Sequence, residues 1–201
     1  MDTLQAIYER RAIKHFDPEH EMTAAEEKTL MEAAIQSPTS FNMQNWRFVL
    51  VKNKGLRQQV REAAWDQAHI TEGSLLIVLT ADLKAYGNNP QQYWKKAPKE
   101  VGDMLSGMMK PFYDDKPELQ RDEAMRSCGI AGQTIMLAAK AMGYDSCPMI
   151  GFDPEAVGKV INLPKDHTIG FVIVVGKRTQ DPWEKPGQLT LDQVVVTDQF
   201  D

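Results

Sequence analysis

A chain of 201 residues, 42% hydrophobic and 25% charged, is long enough to bury one sizeable core and too short for two comfortable ones. Its formal net charge of −5 argues against nucleic acid or an anionic membrane as the main partner, because both reward a basic surface. Two cysteines without a CxxC pair exclude a disulfide framework, and four histidines without ligand spacing suggest no metal site.

In chain order, the opening MDTLQAIYERR has no apolar stretch of the signal-peptide kind, and residues 3–11 read as a helix. No segment approaches the ~18 apolar residues of a membrane span, so a cytoplasmic protein is expected. Asp17-Pro18 breaks the chain, and Thr23 with Glu26 forms a capping box before a helix reaching about Ile35. Ser37-Pro38 ends that helix. Trp46–Lys52, Leu75–Thr80 and Ile169–Gly176 are apolar runs that read as buried strands. Glu118–Met142 reads as a long helix closed by Gly143. Within it, Cys128–Ala139 carries no charge, which suits a central helix or one covered by a subunit interface. Gly129 and Gly132 would let another backbone approach. Asp153-Pro154 opens a short helix. A last apolar run, Val194–Val196, reads as a strand that must find a sheet edge, and a partner subunit is one source of it. The pattern predicts a single α+β domain over residues 1–201. It contains no GxGxxG after a strand, no P-loop and no GxSxG elbow.

Three segments carry possible chemistry. Arg10, Arg11, Lys14 and His15 put four basic groups into six residues of an acidic protein. Arg10 and Lys14 share a face if the first helix continues, which suits a phosphate monoester; the plain alternative is a solvated helix end. Ser37–Trp46 packs hydroxyls and amides before a strand, as a turn or as donors and acceptors for a polar heterocycle. Cys147–Asp153 enters a helix through Pro148 and Gly151, where a backbone N–H can approach a ligand. Between strands, Tyr86–Lys116 collects Trp94, Met104, Met108, Met109, Phe112 and Tyr113, either as a lid over a flat ligand or as a helix packing its own small cluster.

The order Arg-Arg-Ala-Ile-Lys-His-Phe, Ser-Pro-Thr-Ser-Phe-Asn-Met-Gln-Asn-Trp-Arg-Phe and Pro-Met-Ile-Gly-Phe-Asp resembles the nitroreductase family of flavoproteins, over essentially the whole chain. The resemblance implies a central, mostly antiparallel sheet flanked by helices, with a C-terminal strand exchanged between the subunits of a homodimer. It implies bound FMN, NADPH or NADH as donor, and a small flat aromatic acceptor, a nitroarene or quinone, reduced by a ping-pong hydride transfer through flavin N5. By position, Arg10, Arg11, Ala12 and Lys14 match the motif that grips the FMN phosphate and the pyrimidine edge. Arg10 would hold phosphate and Lys14 would lie near N1 and O2. Ala12 replaces the usual serine, a loss of ~1 kcal/mol for one hydrogen bond. Pro38, Thr39, Ser40, Asn42 and Gln44 match a motif supplied by the other subunit. Gln67 matches an amide that pairs with the pyrimidine ring, and His69 falls where some members carry a lysine. Pro148, Met149, Ile150 and Gly151 match the loop whose N–H, at Ile150 or Gly151, faces N5. Lys185 is the late phosphate ligand of choice, with Lys177 and Arg178 as alternatives. Trp94, Phe112 and Tyr113 would wall the acceptor site. Because the flavin does the chemistry, no side chain is assigned as catalytic. Rival readings are reductive dehalogenation or other flavin chemistry on the same scaffold, and a non-enzymatic FMN-binding protein.

Overall fold

The computed structural model describes residues 1–200. Helix α1 (Thr3–Glu9) starts at Asp2, whose carboxylate accepts from the Gln5 N–H at 2.9 Å. It stops at Glu9, earlier than the sequence pattern suggests, with Arg10 already at ψ 130°. Arg10 and Lys14 therefore do not share a helix face. Helix α2 (Ala24–Ala34) opens on the expected Thr23–Glu26 capping box. After a 3-10 turn at Ser40–Asn42 come β1 (Trp46–Leu50), α3 (Lys54–Ala63), the single turn α4 (His69–Glu72) and β2 (Leu75–Asp82). A second 3-10 turn, Pro90–Trp94, leads to α5 (Lys99–Tyr113), α6 (Pro117–Ala141), β3 (Asp145–Met149), α7 (Pro154–Val160), β4 (His167–Gly176) and the one-turn α8 (Leu191–Val194).

The strands form one sheet in the order β1-β2-β4-β3, every neighbouring pair antiparallel. All eight residues of β2 are buried, because helices cover both faces of the sheet. Leu75, Ile77 and Leu79 pack with Cys128, Ala131 and Ile135 of α6. Leu76 and Val78 pack on the other side with Ile13, Val60, Ile70 and Val157. A third cluster, Met43, Ala85, Tyr86, Met109 and Tyr113, lies under α5.

Helix α6 is buried along one face only, since Gly129, Ile130 and Gln133 are exposed. Gly132 makes room for a ring and not for a backbone: a β-carbon there would lie 2.1 Å from Phe171 Cζ. Gly143 follows with φ 78°, the left-handed turn expected of it. Pro148 and Met149, read from sequence as loop, belong to strand β3. Val194–Val196 does not form a strand among the described residues. Val194 closes α8, and Val195 and Val196 are exposed with no sheet edge beside them to supply ladder hydrogen bonds.

The α2 cap fixes one pH response. The Glu26 carboxylate accepts from the Thr23 hydroxyl at 2.7 Å and the Thr23 N–H at 2.9 Å. Those bonds, with a smaller one from Tyr144, hold its pKa at about 2 against the usual 4.5. A carboxyl whose pKa falls on folding stabilises the native state above its unfolded value, and that contribution disappears as pH drops through the folded one. Wild type should therefore melt above Glu26→Gln at pH 5 to 7, and the two melting curves should converge near pH 2. A gap independent of pH would show that the carboxylate charge contributes nothing.

Candidate cofactor site

Beyond α1 the chain threads between β3 and the segment after β4. Ala12 bridges Ser146 in parallel, and the Ile13 N–H donates to the Ser146 carbonyl at 3.0 Å. Asp17 N–H donates to the Lys177 carbonyl at 2.8 Å, and Thr179 N–H to the His15 carbonyl at 3.1 Å. Ile13 and Phe16 are buried, which anchors the run, while Ala12, Lys14 and His15 stay exposed. A groove of about 420 Å³ opens between Arg11–His15 and residues 180–186. Lys185 lines it opposite Ala12 and Lys14. The alternatives to Lys185 have other duties. Lys177 Nζ donates to the Gly143 carbonyl at 2.6 Å and sits 3.9 Å over the Tyr144 ring. Arg178 pairs with Asp181 at 3.1 Å and Asp145 at 3.8 Å.

The electrostatics reach inward from this run. Burial pushes the Cys147 thiol up, against the opposing pull of Lys14 and Arg10. Burial also pulls the His69 imidazole down, helped by Lys14 and His15, which favours the neutral ring. His69 is 3% exposed, and its Nε2 has no hydrogen-bond partner among the described residues. A buried orphan of this kind calls for an external partner. Burial raises the other thiol, Cys128, to about 12, so neither cysteine is a ready nucleophile.

Outside the lining of that groove, Gln67 braces the loop after β3. Its Nε2 donates to the Gly151 carbonyl at 2.9 Å and the Ala64 carbonyl at 3.0 Å, leaving Oε1 for a ligand. A β-carbon at Gly151 would lie 3.0 Å from Trp65 Cζ3, a tight contact that the exposed Trp65 ring can relieve by a small shift. Ile150 is 79% exposed. The N–H groups of Ile150 and Gly151 have no hydrogen-bond acceptor among the described residues.

The Pro38–Gln44 segment is built but lies elsewhere. Thr39 Oγ1 accepts from the Gln44 N–H at 2.8 Å, and Phe41, Asn42 and Gln44 have φ of 52°, 51° and 45°. This loop feeds β1, at one edge of the sheet, while Ala12 adjoins β3 at the other. Three strand spacings separate those edges, about 14 Å. Through β2, Trp46 lies level with Thr168 of β4, whereas Ser146 lies level with Val175. Seven residues along a strand add about 23 Å. Within one chain the two motifs occupy opposite corners. Tyr113 also departs from expectation: it is 1% exposed, inside the third cluster, and cannot wall an open site. Phe112 beside it is exposed.

Outside the groove, Asp82, Asp166 and His167 bring ligand atoms within 4.8 Å of one another. The cluster carries its own counter-groups: Asp82 accepts from Lys84 N–H at 2.7 Å and faces Arg47 at 3.7 Å, and Asp166 pairs with His167 at 2.9 Å.

The sequence profile of the nitroreductase family matches residues 7–177. Protein DrgA of Synechocystis sp. is 52% identical, covering 97% of this chain and 95% of its own. The oxygen-insensitive NADPH nitroreductase of Helicobacter pylori is 30% identical, covering 94% of both. Among solved structures, a protein assigned as a nitroreductase and crystallised in complex with FMN, from Exiguobacterium sibiricum, superposes with a TM-score of 0.91 over 98% of each chain at 22% identity. With the profile spanning both the Arg10–Lys14 run and the Pro148–Gly151 wall, this chain belongs to the nitroreductase family.

Proposed function

We propose that the protein is an FMN-dependent NAD(P)H oxidoreductase that works as a homodimer and reduces nitroaromatic or quinone acceptors in a ping-pong cycle. The observation that carries this reading is the split geometry: a basic groove at one corner of the sheet and a polar loop at the opposite corner. A two-fold axis passing between those corners would bring each loop to the other chain's groove. The apolar tail, with Leu189, Leu191, Val194, Val195, Val196 and Phe200 all exposed, is suited to cross to the second subunit, and so is the bare face of α6.

The groove fits the cofactor. Lys14 and Lys185 line the groove and, with Arg10 next to its Arg11 rim, match a phosphate and an electron-rich ring edge. Outside that lining, the orphaned His69 and the uncommitted N–H groups of Ile150 and Gly151 match ring heteroatoms. When bound, FMN supplies the two-electron chemistry between the nicotinamide and the acceptor. The chain binds, orients and tunes. Arg10 and Lys185 hold the phosphate end. The Lys14 ammonium favours negative charge at the pyrimidine edge. Ile150 or Gly151 N–H holds the ring in register, while Pro38, Thr39, Ser40, Asn42 and Gln44 reach it across the dimer. Phe112 and Trp94 border the open face and favour flat acceptors.

The test is an anaerobic absorbance spectrum of the purified protein, with its mass by light scattering. A dimer with a flavin spectrum that bleaches with NADPH or NADH, and recovers on adding a quinone or nitroarene, is expected. A flavin that neither donor bleaches would favour a binding protein. A colourless protein that takes up no FMN would overturn the reading.

A further inference from the structure

The α5 excursion and the polar loop are far apart in sequence, yet two hydrogen bonds and an aromatic cluster join them. Tyr113 donates its hydroxyl to Ser40 Oγ at 2.8 Å. Asn42 Nδ2 donates to the Tyr93 carbonyl at 2.8 Å. Phe41, between those two loop residues, packs on the rings of Phe112 and Tyr113 at centroid distances of 5.7 and 6.1 Å. The loop needs such support. Left-handed backbone is strained for a non-glycine residue, and Phe41, Asn42 and Gln44 all adopt it. Tyr113 is itself fixed. Its ring packs on Tyr86 at 5.6 Å, and its carbonyl accepts from buried Gln120 of α6 at 2.8 Å. Ser40 is thus tied through Tyr113 to the long helix.

The direction of the bond follows from acidity. A phenol is a stronger acid than an aliphatic alcohol, so Tyr113 donates and Ser40 accepts. Burial raises the Tyr113 pKa and keeps it protonated. With a lone pair occupied from behind, the Ser40 hydroxyl is left to donate forward. We propose that Tyr113 is a positioning residue for cofactor binding, one that turns the Ser40 hydroxyl into a fixed donor toward FMN in the groove of the second subunit. This rests on the reading of the Pro38–Gln44 loop as a contribution across the dimer.

A double-mutant cycle tests it, read as FMN dissociation constants from flavin fluorescence on the full-length dimer. Tyr113→Phe and Ser40→Ala should each weaken FMN about three- to tenfold, and the double variant should be no weaker than Ser40→Ala alone. Phenylalanine fills the same volume, so Tyr113→Phe should melt within a few degrees of wild type. Two results would overturn the proposal: Tyr113→Phe binding FMN as wild type does, or weakening it equally whether or not Ser40 is present. A second variant with 3-fluorotyrosine at position 113 keeps the ring and strengthens the donor. It should bind FMN at least as tightly as wild type, and weaker binding counts against the idea. Wild type failing to bind FMN would instead remove the reading beneath it.

Discussion

Arg10→Ala should weaken FMN binding by roughly tenfold to a hundredfold, the worth of charge-assisted hydrogen bonds of about 1.5–3 kcal/mol. Arg11→Ala should change it by less than about threefold. The two arginines are adjacent, and the helical spacing that paired Arg10 with Lys14 in the sequence is absent because α1 ends at Glu9. Their contacts separate them. Arg11 Nη1 donates to the Tyr8 carbonyl at 2.7 Å and to the Arg10 carbonyl at 2.9 Å, closing the C-terminal end of α1. Arg11 lines the groove, but its guanidinium is taken up by those carbonyls. The Arg10 guanidinium beside it has no ion pair or hydrogen bond among the described residues, and its charge is felt at Cys147. Arg11→Ala should instead lower the melting temperature of the apoprotein, because it strips helix-end carbonyls of a partner. Fluorescence titration and thermal melts on both variants separate the roles. Equal losses of affinity would show that Arg11 leaves its carbonyls for the cofactor.

Gly170→Ala should destabilise the protein by about 3 kcal/mol, at the upper end of overpacking costs. In a chain of this length that lowers the melting temperature by roughly 6–12 °C. A β-carbon at Gly170 would lie 2.5 Å from Cys128 Cβ and 2.8 Å from its Sγ. Neither side can yield cheaply, since Gly170 sits in β4 beside the irregular pairing at Leu79/Thr80 and Cys128 is fully buried in α6. Cys128→Gly in the same background should recover part of the loss, because it removes the opposing atoms. A Gly170→Ala protein melting with wild type would mean that α6 shifts freely on the sheet, contrary to the packing described.

What was legible in the sequence had local causes. The Thr23–Glu26 box, the apolar run of β2 and Gly143 each state their own conformation through neighbouring residues. The misses have non-local causes. β3 holds Pro148 and only five residues, and becomes a strand because β4 on one side and Ala12 on the other supply its ladder. Helix α3 is amphipathic but poor in apolar residues and buries only Val60, so the sequence reading misses it, although Asn53, which accepts from the Leu56 N–H at 3.0 Å, was a usable start signal. In the site, the basic cluster and the polar loop could be read as composition. That they stand at opposite corners, that Lys185 and not Lys177 faces the groove, and that Tyr113 stands behind Ser40 are properties of the sheet order and of contacts spanning 73 residues.

The same sheet order dictates when the protein can be finished. β4 lies between β2 and β3 although it is synthesised after both, and Leu75 meets Val175 across 100 positions. Such pairing makes for slow folding, and a nascent chain lacking β4 carries two unpaired strand edges prone to association. The carbonyl of Lys177 and the N–H of Thr179, which clasp Asp17 and His15, arrive later still. The amino-terminal arginine and lysine are therefore made first and put to use last. If the groove holds FMN as proposed, cofactor loading reports that translation has passed Lys185, and any truncation upstream of it removes part of the groove lining.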